Sequence, residues 1–263
     1  MNRTILTRFA MTFTGSLVIS GSAQGALVLE HWYEMGENGV IPTDSAGAAD
    51  FTTANGTAAT VVAGSSGAPG STSYLFYEAG SYSSGAALGS MPNDNFAFGG
   101  WFRIDNILED RNDIALFRGG AFGGGHPDLL LSDGSGGDAD GWAASYSNVS
   151  WVGPDAGVED SAAAGVWAHL AVVRDNGQST FYLNGIAQGA STSASPTWAN
   201  GATLGSLSGI TGQGIAVDDL RIYSFASGEG DAAIAAYFNA VPEPSSLALL
   251  TIAGLCLARR RRA

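Results

Sequence analysis

Short runs rich in aromatic and β-branched residues recur along the chain, at 28–35, 74–78, 95–104, 114–118, 166–174, 179–183 and 215–223. Clusters of Gly, Asn, Asp and Ser separate them, which is the pattern of an antiparallel sandwich or jelly roll. Within 95–104, Phe96, Phe98, Phe102 and Ile104 share one face of a strand, with Gly100 between them. Two Asn-Gly pairs, Asn176-Gly177 and Asn184-Gly185, predict tight hairpins, because a type I′ turn needs positive φ at both central residues. They make 166–188 a three-stranded meander. Only 229–239 has helical spacing, with Ala233, Ile234, Tyr237 and Phe238 on one face, and it is expected to form a short cap after the last strand. No linker, charge run or internal repeat divides residues 26–240, so one domain is expected.

The two ends follow different rules. Arg3 and Arg8 precede an apolar run over 9–19, and small residues follow at Ala23, Gly25 and Ala26. Residues 1–25 therefore read as a secretory signal peptide. An uncleaved anchor is the alternative, but the run is short for a span of about 20 residues. At the other end, Val241-Pro242-Glu243-Pro244 leads into an apolar stretch over 245–258 and then four arginines, 259–262. That stretch covers about 21 Å as a helix, against about 30 Å of hydrocarbon. Arginines held on the cytoplasmic side with snorkelling stems favour a membrane-spanning segment over a buried core helix.

This order of Pro-Glu-Pro, apolar helix and arginine cluster resembles the PEP-CTERM sorting signal. The resemblance implies an exosortase, a membrane transpeptidase of exopolysaccharide-making Gram-negative bacteria, as partner. It also implies an inner-membrane intermediate and cleavage near Pro242, Glu243 and Pro244, followed by release to the cell envelope or extracellular matrix.

Composition narrows what the body can do. The chain has 38 glycines in 263 residues, 13% charged residues and a net charge of −13. It contains no lysine, and the body carries five arginines against 23 acids, a net −18. A nucleic-acid binder needs a basic face, and a helical array needs far more Ala, Glu, Lys and Leu. An acidic surface of this kind repels anionic polymers and makes divalent cations or neutral sugars easier partners. The single cysteine, Cys256, lies in the tail, so the body has no internal disulfide and no thiolate-held zinc.

Four body segments, "LEHWYEMGE…DSAGAADF", "NFAFGGWFRI", "VWAHLAVVRDNGQSTFYLNG" and "IAVDDLRIYS", resemble the laminin-G-like, concanavalin A-like lectin/glucanase jelly rolls over residues 27–238. The expected fold is all-β, a concanavalin A-like jelly-roll sandwich of two antiparallel sheets. Members of this family include sugar-binding modules, adhesion domains and some glycan-cleaving enzymes, and the fold alone does not choose among them.

Catalysis on glycans needs two carboxylates flanking one bond. The Glu-x-Asp-x-(x)-Glu run of laminarinase-type relatives is absent, as is Gly-x-Ser-x-Gly. The acids Glu34/Glu37, Glu109/Asp110/Asp113 and Glu159/Asp160 lack that spacing or sit in loop-like sequence. His31 and His169 fall in strands near tryptophans and suggest packing roles, whereas His126 sits in a Gly-rich loop. Asp133, Asp138 and Asp140 lie in "SDGSGGDADG", which lacks the residue order of a calcium loop. Alternation over 215–223 puts Asp218 on the face of Leu220 and Ile222, with Asp219 opposite beside Arg221. An acid on a core-facing side needs hydrogen-bond donors or a cation. The resemblance implies a structural calcium there, and backbone N–H donors are the alternative. Trp142, Tyr146, Trp151 and Trp198 lie in or near Gly/Ser/Asn-rich segments, as expected of a contact surface for sugars, with packing in the core as the competing role. Together these features predict an exported, non-catalytic protein that binds glycan or another surface protein. A glycan-active enzyme on the same fold is the alternative, and a purely structural matrix protein is the third.

Overall fold

A computed structural model describes residues 27–105, 114–120, 124–132, 141–146, 150–153, 158, 160–192, 195–206 and 214–230. The secretory signal, Asp133, Asp138, Asp140, Glu109, Asp110, Asp113, Glu159, most of the expected helix 229–239, the sorting tripeptide Pro242, Glu243 and Pro244, and the apolar tail lie outside these residues. Among the described residues no helix is long and apolar enough to cross a membrane.

The described strands, in chain order, begin with β1 (Val28–Tyr33), β2 (Thr53–Asn55), β3 (Thr60–Ala63), β4 (Ser73–Tyr77) and β5 (Tyr82–Ala87). Next come β6 (Phe96–Ile104), β7 (Ile114–Arg118), β8 (Pro127–Leu131), β9 (Trp142–Tyr146) and β10 (Ser150–Trp151). The last are β11 (Ala168–Asp175), β12 (Gln178–Leu183), β13 (Ile186–Thr192), β14 (Asn200–Gly205) and β15 (Ile215–Ser224). An eight-stranded sheet runs β13-β12-β11-β6-β15-β4-β3, with β1 also paired to β15. A seven-stranded sheet runs β10-β9-β8-β7-β14-β5-β2. Every pairing between these strands is antiparallel.

The predicted meander is β11-β12-β13. Its turns carry positive φ at Asn176, Gly177, Asn184 and Gly185, at 51°, 78°, 50° and 81°, as type I′ geometry requires. The core lies between the sheets. Phe96, Phe98, Phe102 and Ile104 on β6 are fully buried, as their spacing predicts, against Leu129, Leu131, Trp142 and Leu204 of the other sheet. Truncating any of these phenylalanines to alanine is worth about 3–5 kcal/mol.

The segment "DSAG" closes one end of this core. Both oxygens of the Asp44 carboxylate are saturated: Oδ1 accepts from the N–H groups of Trp32, Ala46 and Gly47, and Oδ2 from Ala49 N–H and His31 Nδ1. Burial works against this charge, but the His31 and backbone donors outweigh it and hold the carboxyl below its usual range. Gly47 is required here, since a Cβ would sit 2.5 Å from Asp44 Oδ2 and 2.6 Å from Glu30 O. Tyr33, its ring edge-on to Phe51, donates its hydroxyl to Ala49 O at 2.8 Å. The first strand is thereby fastened to the loop that follows it.

A second polar fastening joins the two sheets at the opposite rim. Arg174 on β11 is 2% exposed. It donates to Ser179 Oγ at 3.0 Å, pairs with Asp94 at 3.2 Å, and holds its guanidinium 5.9 Å from the Tyr146 ring centroid. Tyr146, from the seven-stranded sheet, hydrogen-bonds Ser179 through its hydroxyl.

Candidate functional site

The outward face of the eight-stranded sheet is where side-chain chemistry collects, and a β-bulge on β15 organises it. Val217 pairs with Phe102 and Asp218 with Trp101, but the next pair is Arg221 with Gly99. Two residues, Asp219 and Leu220, therefore oppose Gly100, and Asp219 takes φ +49°. Glycine is required opposite the bulge, because a Cβ on Gly100 would lie 3.2 Å from Leu220 Cα and 3.3 Å from Asp218 O.

This bulge corrects the expected side for Asp218. Simple alternation places it with Leu220 and Ile222, whereas the extra residue turns it to the Trp101 face, away from the core between the sheets. Asp218 is nonetheless 0% exposed, since the segment 64–71 folds over it. Oδ2 accepts from Ser66 Oγ at 2.6 Å and Ser71 Oγ at 2.5 Å, while Oδ1 has no hydrogen-bond partner. The donors are serine hydroxyls, not backbone N–H groups. Burial raises the Asp218 pKa to about 7, the two hydroxyls oppose the rise, and neighbouring Asp219 and Glu37 add to it.

A recess of about 140 Å³ opens beside Asp218, lined by Trp32, Glu34, Glu37, Ser71 and Asp219 among others. Asp219 accepts from Trp32 Nε1 at 2.7 Å and pairs with Arg221 Nε at 2.8 Å. Glu37 accepts from the Thr72 and Ser73 N–H groups and from the Thr72 hydroxyl. Among the described residues no three His, Cys, Asp or Glu side chains converge on one point. A lone buried carboxylate oxygen without a hydrogen-bond partner, in a recess lined by no His or Cys, suits a hard, oxygen-seeking cation such as calcium better than zinc.

Aromatic side chains on this face form a second feature. Trp32, Trp101 and Trp167 are each half-buried. Trp101 packs edge-on to His169 with centroids 5.3 Å apart. The Arg103 guanidinium lies 5.0 Å from the Tyr74 ring and 5.1 Å from Trp167, and Arg221 lies 4.9 Å from Trp32. Cross-strand pairing makes these residues neighbours: Trp32 faces Arg221, Trp101 faces both Asp218 and His169, and Trp167 precedes Ala168, the partner of Phe102.

Three of the four aromatics expected to form a contact surface are core residues instead. Trp142 and Tyr146 are each 1% exposed and Trp198 6%. Trp198 lies edge-on to Phe96 and Phe98 at 5.2 and 5.6 Å, and Tyr146 belongs to the rim network of Arg174. The cause is local. Trp142 and Tyr146 occupy the inward positions of β9, and Gly119 leaves room for Trp198, whose ring would stand 2.7 Å from a Cβ there. Trp151 alone is half-buried, on the edge strand β10.

The histidines are structural. His169 is 2% exposed, and burial, then Arg221, lowers its pKa to about 3. His126 is also buried, its Nδ1 bonded to Thr197 O at 2.5 Å and its ring wedged against Gly120 and Gly124. A second recess, of about 270 Å³, lies over Thr180, Gln178 and Gly228 on the same sheet. Its one carboxylate, Asp175, is spent on the N–H groups of Gly228 and Gly230.

Two antiparallel sheets, with a meander through the larger one, define a jelly-roll sandwich. The chain belongs to the concanavalin A-like lectin/glucanases superfamily, whose model matches residues 77–231, and a PEP-CTERM protein-sorting motif matches 240–262. The sorting motif implies processing by an exosortase, with export and sorting to the cell envelope through a membrane-anchored intermediate. No curated protein matches the sequence. Among solved structures the chain is similar to domain 4 of AbnA, a GH43 extracellular arabinanase from Geobacillus stearothermophilus, in complex with arabinotriose. The two share 18% identity at TM-score 0.60, over 83% of this chain and 100% of that one. It is also similar to Trypanosoma rangeli sialidase, with 15% identity and TM-score 0.52 over 82% of this chain and 34% of that one. The receptor binding domain of botulinum neurotoxin D gives 12% identity and TM-score 0.50 over 80% and 52%. At these identities the likeness is one of fold.

Proposed function

We propose that this is a non-catalytic protein of the envelope or extracellular matrix that binds glycan, or a glycan-bearing surface protein, through the outward face of the eight-stranded sheet. The observation that carries this reading is the placement of Trp32, Trp101 and Trp167 on that one face. Half-buried indoles flanked by arginines offer flat apolar surface with polar groups at the edge, which suits sugar rings. The body's net −18 makes neutral sugars the easier ligands. The similarity to an arabinanase domain solved with arabinotriose is consistent with it. A structural calcium at Asp218, held on the same face, belongs to this reading and would hold segment 64–71 in place.

The alternative is a glycan-active enzyme, and one observation favours it: the recess gathers Glu34, Glu37, Asp218 and Asp219, with Asp218 held near neutrality. Against it, Asp218 Oδ2 is bonded to Ser66 and Ser71, Asp219 is paired to Arg221, and Glu37 is bonded to Thr72 and Ser73. Screening the exported protein on immobilised neutral glycans tests both. Binding that drops at least tenfold in Trp167→Ala, with the melting temperature kept within a few degrees, supports the proposal. Release of reducing sugar that disappears on mutating one recess acid overturns it in favour of the enzyme.

A further inference from the structure

Resting on the glycan reading above, we propose that the recess beside Trp32 takes the protonated amine of an amino sugar, so that the glycan held on this face is one that carries free amines. The β15 bulge builds the recess. A regular strand sends successive side chains to opposite faces, yet Asp218 and Asp219 both line this one space. Asp219 takes φ +49° there, a left-handed conformation that costs energy in a residue other than glycine. Setting two acids side by side adds to that cost.

Glu34 and Glu37 join them from the turn that follows β1. That turn is fixed against β4: a Cβ on Gly36 would lie 2.9 Å from Ser73 Oγ, and Glu37 Oε1 accepts from the N–H groups of Thr72 and Ser73. The segment Ala68 to Ser71 lines the recess too, tied to Asp218 through the Ser71 hydroxyl. The space is therefore preformed, and its negative charge is left unmatched. Among the described residues only Asp219 of the four acids has a basic partner, Arg221. Glu34 Oε1 and Glu37 Oε2 accept no hydrogen bond from the described residues. Asp218 points most directly to a ligand, since it is 0% exposed, lines the recess, and leaves Oδ1 without a partner. An unmet buried acceptor is costly, and an N–H donor entering the recess relieves it.

The shape of the site favours an organic cation. Among the described residues the acids do not converge as metal ligands do. A calcium ion takes about six to eight oxygens and would draw most of them from water here. An ammonium needs only a few acceptors for its three N–H groups and gains from further carboxylates at longer range. The recess, at about 140 Å³, matches about four to five waters at roughly 30 Å³ each, which leaves room for an ammonium and the carbons next to it. Trp32 lines the recess and also belongs to the aromatic face, and Asp218 is the cross-strand neighbour of Trp101. A ligand that meets both the acids and the indoles carries an amine on a sugar ring. The negative charge that repels anionic polymers draws such a sugar in.

Calorimetry on the exported protein, in EDTA at about pH 6.5, compares β-1,4-linked glucosamine hexamer with its N-acetylated counterpart. The amino hexamer should bind at least about tenfold more tightly. Glu34→Gln with Glu37→Gln keeps an oxygen for the bonds from Ser45, Thr72 and Ser73, and should erase that preference without weakening the N-acetyl hexamer. Asp50→Asn with Glu78→Gln removes the same charge at exposed positions outside the recess and should leave the preference intact. An equal loss in the two double variants would reduce the effect to general attraction by an acidic surface and overturn the proposal. Equal binding of the two hexamers by the wild type would overturn it as well. A hexalysine peptide that binds as tightly as the amino hexamer, and weakens with it in the recess variant, would give the recess to a protein amine instead. Neutral-glycan binding and its loss in Trp167→Ala judge the glycan reading separately.

Discussion

Asp218 makes a two-variable prediction, because the proposed calcium ion and a proton would compete for one buried oxygen. Burial, with Asp219 and Glu37 adding to it, lifts the carboxyl from 3.8 to about 7. The folded state therefore holds this proton more tightly than the unfolded chain does. Stability from this group falls as pH rises from about 4 to about 7 and stays lower above that. A rise of about three pH units corresponds to about 4 kcal/mol, or about 8–16 °C of melting temperature for a domain of 150–250 residues. The proposed calcium ion on Oδ1 would neutralise the charge and take the place of the proton. Thermal melts from pH 4 to 8, with EDTA or with millimolar calcium, resolve the two effects. In EDTA the wild type should lose stability toward pH 8, and calcium should restore most of the loss. Asp218→Asn keeps an oxygen for Ser66 and Ser71 but no charge, so its melts should lack both the pH-dependent fall and the calcium response. Parallel curves for the two proteins under all conditions would refute the reasoning. A pH-dependent fall in the wild type that calcium leaves untouched would retain the buried carboxyl and remove the cation.

Trp198→Ala should cost about 3–5 kcal/mol by urea denaturation. Trp198→Phe should cost far less, since the indole Nε1 has no partner to lose. Gly47→Ala should destabilise by more than about 2 kcal/mol, because its Cβ meets Asp44 Oδ2 and Glu30 O together; a neutral result would mean that the Asp44 clasp is loose. In cells with an exosortase, intact-mass measurement of the envelope-associated protein should find a species lacking residues 259–262. A mature protein that keeps those arginines would make the tail a simple anchor.

Much of the fold is legible because its physics is local. The Asn-Gly turns pin the β11-β12-β13 register, and the spacing of Phe96, Phe98, Phe102 and Ile104 fixes which face of β6 enters the core. Small strands such as β2, β3 and β10 carry no such signal. Thr53–Asn55 and Thr60–Ala63 are short, polar or exposed edge pieces that form because a neighbour already offers a hydrogen-bonding edge. Strand order within each sheet is likewise set by long-range pairing, which local periodicity does not encode.

The aromatic site shows where such a reading stops and where it need not have. Trp142, Tyr146 and Trp198 sit among small and polar residues, and flanking composition suggests solvent. In a sandwich, however, glycine next to tryptophan also means close packing, as Gly119 beneath Trp198 demonstrates. The phase of the strand is the better guide. If Phe96, Phe98, Phe102 and Ile104 face the core, then Trp101 and Arg103 face away from it. Tyr33 in the core puts Trp32 on the outside by the same rule. A tryptophan out of phase with its own strand's core residues cannot be buried between the sheets, so it needs another partner: a covering loop, an arginine or a ligand. That rule fails at Asp218, where the bulge at Asp219 inserts one residue and reverses the phase. Gly100 is the one trace of it in the sequence, since a glycine in the middle of a long buried strand marks a place where another backbone comes close.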